Sequence, residues 1–224
     1  MNNKAINYLF RLLMQRFMGL LCFLIGSWWA LDFRSTVYFG VYIFLAIISG
    51  VIMYRINPET LKERGKVNTN SPKWDKVLLS IYWILGFFII YIVAGLEMDK
   101  APQVGMFFWV GILLQIGTST LALWALAVNT FLESTVRIQS DRNQRVCEDG
   151  PYKIVRHPTY TAVLLWCLSI SMIFETFYVS LIAIVIGIII IIRTYLEDKL
   201  LNGSLHGYKE YVMKVKYRLI PFIW

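Results

Sequence analysis

Two short stretches concentrate the residue types that do chemistry. The first reads Gly150-Pro151-Tyr152-Lys153-Ile154-Val155-Arg156-His157-Pro158-Thr159-Tyr160. Gly150-Pro151 marks a turn. His157-Pro158 reads as a helix start, because proline at the first helical position loses nothing by lacking an N–H. The next amides, of Thr159, Tyr160 and Thr161, are then unpaired donors at the positive end of the helix dipole. With Arg156 and His157 beside them they suit a carboxylate or a phosphate. A second local reading stands next to this one: Arg156 and Lys153 reach anionic lipid headgroups, and His157 merely caps the helix.

The second stretch is Arg193-Thr194-Tyr195-Leu196-Glu197-Asp198. Arg193 and Glu197 are four apart, so they share a helical face and are placed to pair. Two adjacent acids at the end of an isoleucine-rich run sit at a costly depth, where ionisable groups tend to serve function. The alternative is an interfacial salt bridge that ends the span. Beyond it, Leu201, Leu205, Tyr208, Val212 and Val215 recur at helical spacing, with Lys209, Glu210 and Lys214 on other faces. That spacing predicts an amphipathic surface helix or lid, followed by a basic, then aromatic, end at residues 217–224. A third stretch runs over residues 55–66 and on to Lys73-Trp74-Asp75-Lys76. Asn57-Pro58 predicts a turn or helix start, and residues 59–64 a short surface helix in a solvated linker. No Walker-type loop, dinucleotide glycine fingerprint or metal-ligand pair occurs, so no metal site is expected.

The elements that must position these stretches are apolar. Of 224 residues, 58% are hydrophobic and 16% charged, against roughly 25% charged in an average globular chain, and mean hydropathy is +0.58. Surface-to-volume scaling leaves too much of a small domain exposed to hide this in one core, so the apolar residues face lipid. Disorder, collagen-like repeats and a small disulfide scaffold are excluded. Apolar runs fall at residues 17–31, 37–54, 77–96, 104–128, 160–174 and 176–192. A span needs about 20 apolar residues, with a lower limit near 17. The first run reaches that length only with residues 12–15 and a snorkelling Arg16. The last two, parted at Glu175, predict a tight helical hairpin. The fold class is therefore all-α: a polytopic membrane bundle of about six helices plus a C-terminal amphipathic helix. It divides into N-terminal membrane helices (1–54) and a core carrying the polar clusters (55–224).

Charge sets the orientation. The net charge is +8, and all but Arg34 and Lys100 of the 22 basic residues fall in connectors on one side of the predicted spans. The positive-inside rule puts that side, both termini and the long loops in the cytoplasm. The basic excess is thus a topology signal and not a nucleic-acid footprint. Both histidines, His157 and His206, lie on that side, which favours a cytoplasmic cofactor. The three cysteines have no metal or disulfide spacing, and Cys147 reads as a free thiol. Trp28-Trp29 stands where a signal peptide would need small residues, so the first apolar segment is expected to be retained.

The run GPYKIVRHPTY, the RTYLED cluster after it and the terminal YRLIPFIW together resemble the isoprenylcysteine carboxyl methyltransferase family. So do RINPETLKERGK, KWDK and the stretch from Trp124-Ala125 through Asn129 to Val136-Arg137-Ile138-Gln139. The resemblance covers most of residues 55–224. It implies an integral-membrane methyltransferase that uses S-adenosylmethionine. Arg156, His157, Pro158 and Tyr160 match the family's first motif, Glu197 and Asp198 its acid pair, and Arg193 the basic residue one turn earlier. Ala162 stands where the family usually has glycine, and the acid pair is Glu-Asp in place of Glu-Glu.

On that reading the 157–161 helix start with Arg156 and Thr159 binds the polar end of the cofactor. Glu197 or Asp198 holds its amino-acid or ribose portion. Arg193 and Asn129 orient an acceptor that enters from lipid: a lipophilic small molecule, a lipid or a prenylated cysteine. A carboxylate acceptor needs no general base, whereas an amine or hydroxyl does. The competing reading is an NADPH-dependent sterol-type membrane reductase, which shares a similar GPYxxxRHPxY pattern over the last third only. A transporter or non-catalytic scaffold is the third, and it would be favoured by ionisable groups within the spans.

Overall fold

The computed structural model describes residues 3–64 and 70–224, with side chains from residue 6 onward. Gly65 and Lys66 of the linker, and the side chain of Lys4, lie outside the described residues. No strand occurs among the described residues. Five helices are long and apolar enough to cross a membrane: α1 (Asn3–Gly26), α2 (Phe33–Ile56), α4 (Lys73–Leu96), α5 (Met106–Val128) and α7 (Phe177–Ser204). A sixth, α6 (Pro158–Phe174), is apolar but shorter, with 17 residues. The short α3 (Pro58–Arg64) and α8 (Tyr208–Lys214) complete the set. The all-α bundle expected from composition is present, and the chain is a multi-pass membrane protein.

Local chemistry sets the helix ends. Chain reversal after α1 uses Trp28 and Trp29, both at positive φ. Asp32 then opens α2 with a capping box: its carboxylate accepts from the Ser35 amide at 2.8 Å, and the Asp32 amide donates to the Ser35 hydroxyl at 3.1 Å. The predicted hairpin forms. Glu175, in the left-handed region at φ 52°, ends α6, and α7 starts two residues later. Arg34 ties this corner together, reaching Glu175 at 3.0 Å and the Pro102 carbonyl at 2.7 Å.

Packing is tight where small residues allow it. A Cβ on Gly26 would lie 2.1 Å from the Ile92 carbonyl oxygen, and one on Gly95 2.3 Å from that of Phe23. Only glycine lets α1 and α4 approach so closely, the usual small-residue strategy between membrane helices. The core joins Phe23, Tyr38, Tyr91, Phe108, Trp166, Ile170 and Ile186 from six helices. The N-terminal helices therefore pack into the same core as the helices that carry the polar clusters. Within α4, residues Leu85–Ile89 form a π turn, a feature often found beside functional sites.

Three expectations are corrected. The first helix ends at Gly26 and does not run to Leu31. Arg16 does not snorkel to the surface; it turns inward, hydrogen-bonds the Tyr42 hydroxyl and stacks over that ring at 4.2 Å. The stripe from Leu201 to Val215 is not one helix. Leu201 belongs to α7, and the chain breaks at Leu205 and at Gly207 (φ +82°) before α8 begins.

Candidate active site

The two chemical clusters meet at the end of the bundle that carries residues 129–157 and the C-terminal tail. Asp198, near the end of α7, is the hub. It takes a two-pronged hydrogen bond from Arg156, Nε to Oδ1 at 2.8 Å and Nη2 to Oδ2 at 3.0 Å. The Tyr208 hydroxyl donates to Oδ1 at 2.8 Å, Arg218 Nε donates to Oδ2 at 2.9 Å, and His157 Nε2 lies 3.2 Å from Oδ1. Arg156 also donates to the carbonyls of Val215 and Lys216. Burial works against the Arg156 charge, but the bonds to Asp198 outweigh it and raise its pKa. Burial first, then the Asp198 charge, pushes the Tyr208 hydroxyl far above its ordinary pKa.

This hub changes what the helix start offers. The amides of Arg156 and His157 donate to the carbonyls of Tyr217 and Arg218, and the Thr161 hydroxyl donates to that of Leu219. The C-terminal tail thus takes the amides just before α6, and the Tyr160 and Thr161 amides turn back to the His157 carbonyl, so two of the three donors left open by the sequence are met within the first turn. Arg156 neither faces solvent nor reaches for headgroups.

The second acid behaves differently. Arg193 and Glu197 form no ion pair among the described residues. Arg193 turns to Asp75 of α4, donating from Nε at 2.8 Å, and to the Ser134 carbonyl at 2.7 Å. Asp75 is fully buried, and its other oxygen accepts from the Val136 amide at 2.8 Å. Tyr160 bridges the two residues of the expected pair: its ring lies 5.3 Å from the Arg193 guanidinium, and its hydroxyl donates to Glu197 Oε2. The His157 ring stacks on Tyr160 at 5.7 Å. Oε1 of Glu197 has no partner among the described residues.

These groups surround a cavity of about 610 Å³, within the range of about 300–1,000 Å³ usual for small-molecule sites. Asn129, Arg156, His157, Thr159, Tyr160, Arg193 and Glu197 all line it, whereas Pro158 and Asp198 lie behind the wall. Asn129 closes α5, its side-chain oxygen accepting from the Phe131 amide at 3.0 Å. The cavity continues between the membrane helices, past Leu79, Tyr82, Trp83 and Phe87 of α4 and Leu12 and Arg16 of α1.

Sequence reasoning missed three wall or support residues. Asp75 reads as part of a linker, although an acid in the first turn before an apolar run is the kind of residue a membrane chain keeps for a partner. Tyr208 falls within the apolar stripe. Tyr152 is buried on the cavity wall, its hydroxyl without a hydrogen-bond partner among the described residues, and burial raises its pKa well above the usual range. No local signal marks it beyond its place between the turn and Arg156.

Residues 110–203 match the isoprenylcysteine carboxyl methyltransferase (ICMT) family. That segment runs from α5 to the end of α7 and contains the RHPTY and RTYLED clusters, so the resemblance read from those motifs is borne out there. The match supports a membrane methyltransferase. The chain is also 25% identical over 151 residues to YpbQ of Bacillus subtilis (strain 168), an uncharacterized protein; the alignment covers 66% of this chain and 85% of that one.

Proposed function

We propose that this chain is a membrane methyltransferase that takes its methyl group from S-adenosylmethionine and delivers it to a lipophilic acceptor, with the cavity mouth and both termini on the cytoplasmic side. The observation that carries the reading is the single cavity on which Glu197, Tyr160, His157 and Asn129 converge and which then runs on between membrane helices. One end is polar and the other apolar, as a water-soluble donor and a lipid-like acceptor require.

The residues fit the cofactor. Glu197 has a carboxylate oxygen uncommitted among the described residues for its ammonium or ribose hydroxyls, and Tyr152 brings a buried hydroxyl that meets no partner among the described residues. His157, Thr159 and Asn129 complete the polar wall. When bound, S-adenosylmethionine supplies a methyl group activated by a sulfonium, which carries the reactivity itself. The chain's part is orientation, because displacement demands alignment of the reacting atoms. Tyr160 fixes Glu197 through its hydroxyl and is itself held between His157 and Arg193. Arg193, locked by Asp75, sets this wall and faces the acceptor with Asn129. Arg156, Pro158 and Asp198 act as positioning residues that lock the start of α6 to α7 and the tail.

Radiolabelled methyl transfer to extracted lipids, in membranes bearing His157→Ala or Glu197→Gln, is expected to fall well below wild type. Unchanged rates would remove this site assignment.

A further inference from the structure

Arginines within or at the ends of the spans differ in how their charge is met. Arg34 has Glu175, and Arg193 has Asp75. Arg16 has neither: among the described residues it forms no ion pair, its one hydrogen-bond partner is the neutral Tyr42 hydroxyl, and its buried Nε meets no acceptor. Arg16 is the fourteenth residue of α1, about 20 Å along the helix from its start at a rise of about 1.5 Å per residue. An arginine within a span is costly, and such residues face cavities and mark ligand sites.

Arg16 does line the cavity, in the lobe formed with Leu12, Leu79, Tyr82, Trp83 and Phe87. The lobe therefore combines apolar and aromatic walls with the Arg16 guanidinium, which has no ion-pair partner among the described residues. We infer that Arg16 binds the anionic oxygen of a lipophilic acceptor, a carboxylate or an acidic enol on an apolar body. This deepens the methyltransferase reading and rests on it for the word acceptor. The inferred subsite lies on α1, outside the segment that matches the methyltransferase family. It also suits a site whose cavity-lining histidine has Nε2 turned to Asp198, since an oxygen already anionic needs no base.

The test uses the full chain in phosphatidylcholine nanodiscs, with radiolabelled palmitate as the anionic probe and hexadecanol as its neutral counterpart. Wild type is expected to hold palmitate about tenfold more tightly than hexadecanol, a preference that Arg16→Gln removes. Arg16→Lys, which keeps the charge without the planar fork, retains part of it and carries the test should Arg16→Gln not fold. Equal palmitate binding by wild type and both variants overturns the inference. So does displacement of palmitate by phosphatidylglycerol in the disc, which would show a site for bulk headgroups. S-adenosylhomocysteine binding is measured separately on the same samples. Its absence would defeat the methyltransferase reading while leaving the palmitate preference to decide the role of Arg16.

Discussion

Asp75 and Arg193, 118 residues apart in the chain, form a buried ion pair at 2.8 Å that clamps α4 to α7 beside the cavity. Asp75 is 0% exposed and Arg193 4%. Replacing Asp75 with alanine leaves the guanidinium buried and unpaired, at a cost of about 3–5 kcal/mol. A thermal melt of the detergent-solubilised protein is expected to show strong destabilisation for Asp75→Ala. A melt matching wild type would mean that the clamp holds nothing.

Tyr160 gives a finer probe, since its ring and hydroxyl do different work. Tyr160→Phe keeps the ring between His157 and Arg193 but releases Glu197. Losing one hydrogen bond to a charged group costs about 1.5–3 kcal/mol, so S-adenosylhomocysteine affinity is expected to drop by about tenfold or more with little change in the melt. The opposite pattern, a lower melt and full affinity, would make Tyr160 structural only.

Cys147 lines the cavity, and burial raises its thiol pKa. The thiolate is the reactive form, so at pH 8 Cys147 should react with maleimide more slowly than a free cysteine and speed up as pH rises. In a chain lacking Cys22 and Cys167, S-adenosylhomocysteine is expected to protect it. Labelling indifferent to that ligand would place the cofactor elsewhere.

Tyr208 donates to Asp198 and has a raised pKa. Its folded-state pKa lies above its unfolded one, so its stabilising contribution is complete below about pH 10 and is lost as pH rises beyond that. Wild type should be more stable than Tyr208→Phe at pH 8, with the gap shrinking in strong alkali. A gap independent of pH would contradict the assignment.

The membrane helices were legible because lipid exposure forces long apolar runs, and the hairpin at Glu175 because one polar residue interrupts them. The clusters around His157 and Glu197 were legible as residue types. Their partners were not. Helical spacing pairs Arg193 with Glu197, yet a third helix brings Asp75 to a better-buried position, and no local pattern encodes that. The C-terminal tail pairs with the amides just before α6 through main-chain carbonyls, which carry no side-chain signature. Arg16 has the position of a snorkelling end residue in the sequence, but Tyr42 on α2 draws it inward, a contact that no local pattern encodes. The break at Gly207 was hidden because Leu205 and Tyr208 keep helical spacing across it.

The most direct test of the central claim is a titration of purified wild type and Glu197→Gln with S-adenosylhomocysteine, with NADPH in parallel. The account predicts saturable binding of S-adenosylhomocysteine to wild type, affinity lower by about tenfold in the variant, and no binding of NADPH. Equal affinity in the two proteins, or binding of NADPH in place of S-adenosylhomocysteine, would contradict it.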